Sequence, residues 1–269
     1  MRTKALAAPY IVWMVIFTVV PLAMVAYFAF TTNSGEFTFT NLTSAAEYMP
    51  VLLRSVWYAL AACAICLVIG YPVAYVIAQT TARTQRVLYL LVTLPMCMSF
   101  LLRTLAWVAL LRDTGIINTF LGSFGIGPLP LIRNAGSVIL GMVYNYLPYM
   151  IMPLYTVIVK LDPRLIEAAQ DLGCDSFQVF RRVILPLSVP GIVSGITMVF
   201  VPAVSTFYIS QKLGGTNNTM IGDVIELQFK GSLNRNFGAA MSLVLMLLVF
   251  VSIWLMNRFT DDEEWVATI

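Results

Sequence analysis

Five stretches of this chain contain no aspartate, glutamate, lysine or arginine: Ala5–Gly35, Ser55–Ala82, Asn134–Val159, Val183–Gln211 and Asn236–Asn257. Each exceeds the roughly 20 residues that a helix needs to cross about 30 Å of hydrocarbon. A sixth stretch, Val87–Leu111, is interrupted only by Arg103. An open sheet would leave backbone groups unpaired in lipid, and these runs are too long and continuous for barrel strands. The pattern predicts an all-α integral membrane protein with six transmembrane helices, near 9–30, 56–79, 87–111, 136–159, 188–210 and 237–257. Composition agrees: 11% of the 269 residues are charged, against roughly 25% in a soluble domain. No soluble domain fits between the spans, so residues 1–269 read as a single transmembrane domain.

The same scarcity excludes much chemistry. The chain has no histidine, which removes the commonest general base and metal ligand. A net charge of +3, scattered along the chain, does not suit a nucleic-acid binder. There is no Gly-x-x-x-x-Gly-Lys-Ser/Thr run to cradle a phosphate, so any ATP hydrolysis belongs to another chain, and no metal or cofactor is expected in this one. Cys63 and Cys66 form C-x-x-C inside the second span, where buried apolar thiols are expected rather than a redox pair. Cys97 is expected to be buried in the same way, and Cys174 to face the cytoplasm in reduced form.

The first uncharged run follows Arg2 and Lys4, as the core of a signal peptide would. It is far longer than the 7–15 residues of a cleavable core, so it is expected to remain as the first span. Counting cations near span ends, a cytoplasmic N-terminus places Arg2, Lys4, Arg83, Arg86, Lys160, Arg164, Arg181, Arg182 and Arg258 inside. Arg54, Arg112, Arg133, Lys212, Lys230 and Arg235 then lie outside. Nine against six favours both termini in the cytoplasm, and the acidic run Asp261–Glu264 reads as a solvated tail.

The most informative loop is 160–186. Asp162 can cap a helix that opens on Pro163, the favoured first-turn position for proline. Leu165, Ile166, Ala168, Ala169 and Leu172 give that helix an apolar face, and Gly173 can end it in a left-handed conformation. A second helical stretch, Ser176–Leu185, leads through Pro186 and Pro190 into the fifth span. On pattern alone the segment is either an ordinary interfacial helix or one built to dock in a partner's groove.

Glu167-Ala168-Ala169, Gly173 and Val183-Ile184-Leu185-Pro186 fit E-A-A-x3-G-x9-I-x-L-P, with valine in place of the usual isoleucine. The pattern resembles the signature of permease subunits of binding-protein-dependent ABC importers. The resemblance implies the type I ABC importer permease fold. It also implies that Glu167, Ala168, Ala169, Asp171 and Gly173 form a coupling helix seated in a cleft of a cytoplasmic ATPase, the alanines allowing close entry and Gly173 the bend that follows. Further stretches, among them residues 67–75, 147–155, 207–210 and 221–225, resemble the spermidine/putrescine (PotB-type) branch. The implied partners are a second permease (PotC type), an ATPase dimer (PotA type) that binds ATP and Mg, and a substrate-binding protein (PotD type). The implied setting is the bacterial inner membrane. The subunit itself would be non-catalytic.

A cationic solute needs carboxylates and aromatic faces, the latter offering about 0.5–2 kcal/mol of cation–π attraction. The spans contain no acid, which suits passage rather than tight storage. Asp223 and Glu226 lie three apart near the sixth span and would share a helix face. They either line the mouth of the route or sit on a solvated loop helix that touches the binding protein. Tyr144, Asn145, Tyr149 and Tyr208, near Tyr146, Ser205 and Thr206, either line the route, pack between helices or belong to an interfacial aromatic belt. Arg103 is costly in hydrocarbon, by roughly 2.5–3.5 kcal/mol. It either has a structural role or screens the route so that cations keep moving. The alternatives for function are an ABC permease for another small solute (a phosphonate, an iron complex or a sugar), or an autonomous channel or secondary transporter.

Overall fold

The computed structural model describes residues 9–32, 34–231 and 234–266, with side chains of the last helix described as far as Arg258. Arg2 and Lys4 lie outside the described residues, as do the side chains of Asp261–Glu264. The helices are α1 (Pro9–Ala29), α2 (Thr40–Ala46), α3 (Met49–Gln79), α4 (Ala82–Cys97), α5 (Phe100–Leu111), α6 (Ile116–Gly122), α7 (Ala135–Ile158), α8 (Pro163–Asp171), α9 (Ser176–Leu187), α10 (Val189–Val204), α11 (Ile221–Lys230) and α12 (Arg235–Val266). Among the described residues the only extended pairing is an isolated bridge between Thr31 and Phe37.

Helices α1, α3, α7 and the Arg235–Arg258 part of α12 are each long and apolar enough to cross a membrane unbroken. The third span is not a single rod, contrary to the expectation from charge alone, and the fifth is entered through a bend at the expected prolines. Helix α4 meets the 100–122 segment at 87°. Pro95 lacks a donor, the Leu94–Cys97 turn tightens, and Met98 and Ser99 adopt extended backbone with ψ of 148° and 128°. Cys97, expected to be buried, is exposed at this break. Helices α9 and α10 meet at 64°, where Pro186 and Pro190 remove two amide donors.

The fifth span ends earlier than expected. Helix α10 stops at Val204, and its 16 residues rise only about 24 Å, less than the hydrocarbon thickness. Pro202 sits in its last turn, and the Ser205 hydroxyl turns back onto the Val201 carbonyl at 3.0 Å. Residues 205–231 then fold back into the protein instead of continuing the rod.

The core is built by α3, α7 and α10. Ala59, Ala62, Ala74, Met142, Met150, Leu154 and Val199 are almost fully buried within it. Small residues let membrane helices approach closely, and dispersion contacts then replace the hydrophobic drive that lipid removes. Cys63 and Cys66 lie unpaired and buried in this core. Helix α3 has 31 residues, about 46 Å of rod, so it reaches both ends of the bundle. One end meets the 160–186 loop and the other meets the folded-back segment.

Candidate functional site

The 160–186 loop is organised by its own side chains. The Asp162 carboxylate accepts the Arg164 amide at 3.0 Å and starts α8. At its end the Cys174 amide reaches Ala169 O at 3.1 Å and the Gly173 amide reaches Gln170 O at 2.8 Å. That is the paired-bond C-cap that requires a left-handed residue, and Gly173 has φ +84°. Asp175 and Gln178 form a reciprocal capping box that starts α9.

Helix α8 divides its residues by face. Ala169 is buried with Val179 and Ile184, against Tyr75, Ile166 and Phe180. The ring of Phe180 meets Tyr71 and Tyr75 edge-on at 5.5 and 6.2 Å. Glu167, Ala168, Asp171 and Gly173 face outward. Ala169 therefore packs the helix onto its own bundle. Large apolar side chains stand free on the outer side: Leu165 is 48% exposed, Phe177 68% and Leu172 85%.

At the opposite end of α3 the folded-back segment is held from a distance. Arg54 donates to the Asn217 carbonyl at 2.7 Å and to the Thr219 carbonyl at 3.1 and 2.7 Å. The Tyr58 hydroxyl donates to Asn218 Oδ1 at 2.7 Å, and Ser55 accepts the Ile221 amide at 2.8 Å. From α7, the Ser137 hydroxyl donates to Leu213 O at 2.7 Å. A Cβ on Gly141 would fall 2.6 Å from Leu213 Cδ1, so the glycine makes room for the segment's tip.

This scaffold fixes α11 and its two acids, which behave differently. Asp223 is buried and accepts the Met220 amide at 2.7 Å and the Ser210 hydroxyl at 2.9 Å. Burial pushes its carboxyl up to about 6, although those two bonds pull the other way. Glu226 is partly buried and accepts from Lys230 and from Gln211. The Lys230 bond, above all, holds its carboxyl below the ordinary range. Asp223 thus ties two helical pieces of the fold-back together, while Glu226 presents an anion at its surface.

The other route candidates lie elsewhere. Tyr144 stacks edge-on against Trp107 at 5.4 Å, and Tyr149 lies 6.3 Å from the Tyr146 ring. Tyr208 meets Phe100 at 6.1 Å and carries Lys212 Nζ 5.7 Å from its ring. Asn145 is buried, donates to Gly141 O at 2.8 Å, and has no partner for Oδ1. Arg103 is 8% exposed with Nε and Nη1 unpartnered. Glu226 borders cavities of about 550 and 410 Å³, and neither is lined by Tyr144, Asn145, Tyr149 or Tyr208. The structure therefore brings Asp223 and Glu226 together but does not join them to the tyrosines.

Residues 67–262 match the family described as the binding-protein-dependent transport system inner membrane component. The chain belongs to that family. The permease is 38% identical over 258 residues to the spermidine/putrescine transport system permease protein PotB of Haemophilus influenzae, covering 91% of this chain and 90% of that one. It is 37% identical over 267 residues to PotB of Escherichia coli K12, covering 93% and 96%. Among solved structures it resembles a bacterial ABC transporter involved in the import of the acidic polysaccharide alginate. The TM-score is 0.77 over 97% of this chain and 95% of that one, at 18% identity, a likeness of fold alone.

The permease is accordingly an inner-membrane, non-catalytic subunit of an ABC importer that works with partner subunits. Among the described residues no group of histidine, cysteine or carboxylate side chains could hold a metal. Several residues that build its sites carry no motif: Arg54, Ser55 and Tyr58, together with Gln211 and Lys230. Arg54 gave one faint signal, as the cation directly before an uncharged run. It lies inside α3, which begins at Met49, seven positions before the expected boundary.

Proposed function

We propose that the permease carries polyamines of the spermidine/putrescine class into the cytoplasm, driven by an ATPase that grips the α8–α9 loop. The substrate class is supported by the names of the relatives that match most of the chain. The observation that carries the coupling role is the outward face of α8 and α9. Leu165, Leu172 and Phe177 stand unburied between Arg164, Glu167, Asp171 and Asp175, while Ala169 anchors the helix to α3 and α9. Exposed apolar side chains ringed by charge mark a protein-binding surface.

In this reading Glu167, Ala168 and Asp171 touch the ATPase, and Gly173 shapes the end of the helix that enters it. The loop lies in the cytoplasm with both termini. The complete importer adds a second permease, a pair of ATPase chains that bind Mg and ATP, and a solute-capturing protein, corresponding to the PotC, PotA and PotD types. ATP-driven closure of the ATPase pair pulls on α8, and α3 carries the motion across the bundle. Asp223 and Glu226 shape the entry for an ammonium group, and Tyr144, Asn145, Tyr149 and Tyr208 offer polar and aromatic surface deeper in. An inside-negative potential favours each inward positive charge by about 2.3 kcal/mol per 100 mV.

The test is uptake of radiolabelled spermidine by proteoliposomes that hold both permeases and the ATPase, supplied with the capture protein. ATP-dependent uptake that unlabelled putrescine reduces is the expected result. Uptake by this chain without the ATPase, or displacement by a sugar but not by polyamines, would overturn the reading.

A further inference from the structure

Glu226 and Lys230 are four apart on α11, with the acid on the N-terminal side, the favourable order for a helical pair. On an open helix such a pair does little, and Lys230 itself is 77% exposed. Two features distinguish this one. Glu226 is also held by Gln211 from the far side of the fold-back. And the same two residues border two cavities of this region. One cavity, of about 550 Å³, is apolar, with Phe207, Phe229, Leu245 and Val249 in its wall and Ser205 and Ser242 at its edge. The other, of about 410 Å³, includes Gln211, Thr219 and Asp223. The ammonium–carboxylate contact therefore lies in the lining of both volumes.

We propose that Lys230 is a tethered stand-in for the cargo: it occupies Glu226 when the route is empty and yields the carboxylate to a primary ammonium of a passing polyamine. This inference rests on the polyamine reading above. Lysine presents a four-carbon alkyl chain that ends in an ammonium group, as does the aminobutyl end of putrescine or spermidine. Exchanging one for the other never leaves the partly buried carboxylate unpaired, the costly state. The apolar cavity receives the methylene segment, and the return of Lys230 displaces the cargo. Binding that is stronger in the resting complex than in the moving one slows a transporter, as it slows an enzyme. A resident competitor prevents that.

The experiment uses the whole importer in lipid nanodiscs and proteoliposomes, with radiolabelled spermidine as probe. Binding is measured without the capture protein, and uptake at saturating capture protein. Lys230→Met keeps length and helix propensity but removes the ammonium. It should bind spermidine about two- to fivefold tighter, the scale of one exposed charge pair, and transport it more slowly. Lys230→Arg should retain wild-type behaviour, and adding Glu226→Gln to Lys230→Met should abolish the gain in binding. Unchanged binding and uptake in Lys230→Met would overturn the proposal, as would parallel loss of both. Absence of spermidine uptake by the wild-type complex would instead overturn the polyamine reading itself.

Discussion

The two ends of α3 hold their neighbours in opposite ways. At one end the 160–186 loop is shaped by bonds between near neighbours: Asp162 with Arg164, Ala169 with Cys174, Asp175 with Gln178. At the other end the 205–231 segment is shaped by bonds to residues far along the chain, such as Arg54 to Thr219 across 165 positions and Ser137 to Leu213 across 76. The first is a self-organised surface element with large apolar side chains exposed. The second is a re-entrant piece with its tip sunk in the core, where Leu213 and Ile209 are fully buried. The contrast shows that a surface element can be written locally, whereas a segment folded back into the core depends on its walls.

Substitutions in the walls should therefore damage the fold-back more than substitutions in the loop damage the loop. The largest effect is expected for Arg54→Met, which strips charge-assisted bonds from two carbonyls. It should destabilise residues 216–221 by about 2 kcal/mol and speed their amide exchange roughly thirtyfold, while exchange in residues 163–174 stays unchanged. Equal acceleration in both regions would break the contrast. Next is Gly141→Val, whose Cβ would meet Leu213 and Ile209. Overpacking there should cost about 1–3 kcal/mol, read as a lower unfolding temperature of the detergent-solubilised complex.

In the loop, Gly173→Val imposes a β-branched side chain on φ +84° with open space around it. The expected cost is about 1–2 kcal/mol, confined to the end of α8, with the spans inserted and ATP-driven uptake reduced. Smallest is a pH effect at Asp223. Its carboxyl is raised from 3.8 to about 6 in the fold, so its contribution to stability is complete below the unfolded value and is lost as pH rises through about 6. The wild-type unfolding temperature should fall over that window relative to Asp223→Asn, which lacks the titration. A difference between the two that is flat with pH would show that Asp223 is not buried in the intact complex.

The same contrast explains what could be read from the residues alone. Five uncharged runs and a sixth broken only by Arg103 marked the long apolar helical regions, because the length of hydrocarbon is a local demand. The cap at Asp162, the proline at 163 and the glycine at 173 were legible for the same reason. The breaks at Met98–Ser99 and Ser205 were not, because Pro95 and Pro202 lie in segments whose hydropathy continues without interruption, and prolines are tolerated within α3 and α7. Nor was the inward orientation of Ala169, since a short amphipathic helix does not say which apolar face meets its own bundle. The joining of Asp223 to Ser210, and of Glu226 to Gln211 and Lys230, depends on the fold-back, which only the packing of α3 and α7 defines.

The link between the α8–α9 loop and solute movement is tested most directly by spermidine uptake in proteoliposomes holding the complete importer, with wild-type permease and with Leu172→Glu. Leu172 is the most exposed large apolar side chain of the loop, and its replacement leaves every described cap and core contact in place. Uptake should require ATP in the wild type and fall by at least about tenfold in the variant, on the scale of one interface hot spot, with the six spans still inserted. ATP-driven uptake unchanged in Leu172→Glu would contradict the docking of an ATPase on this face.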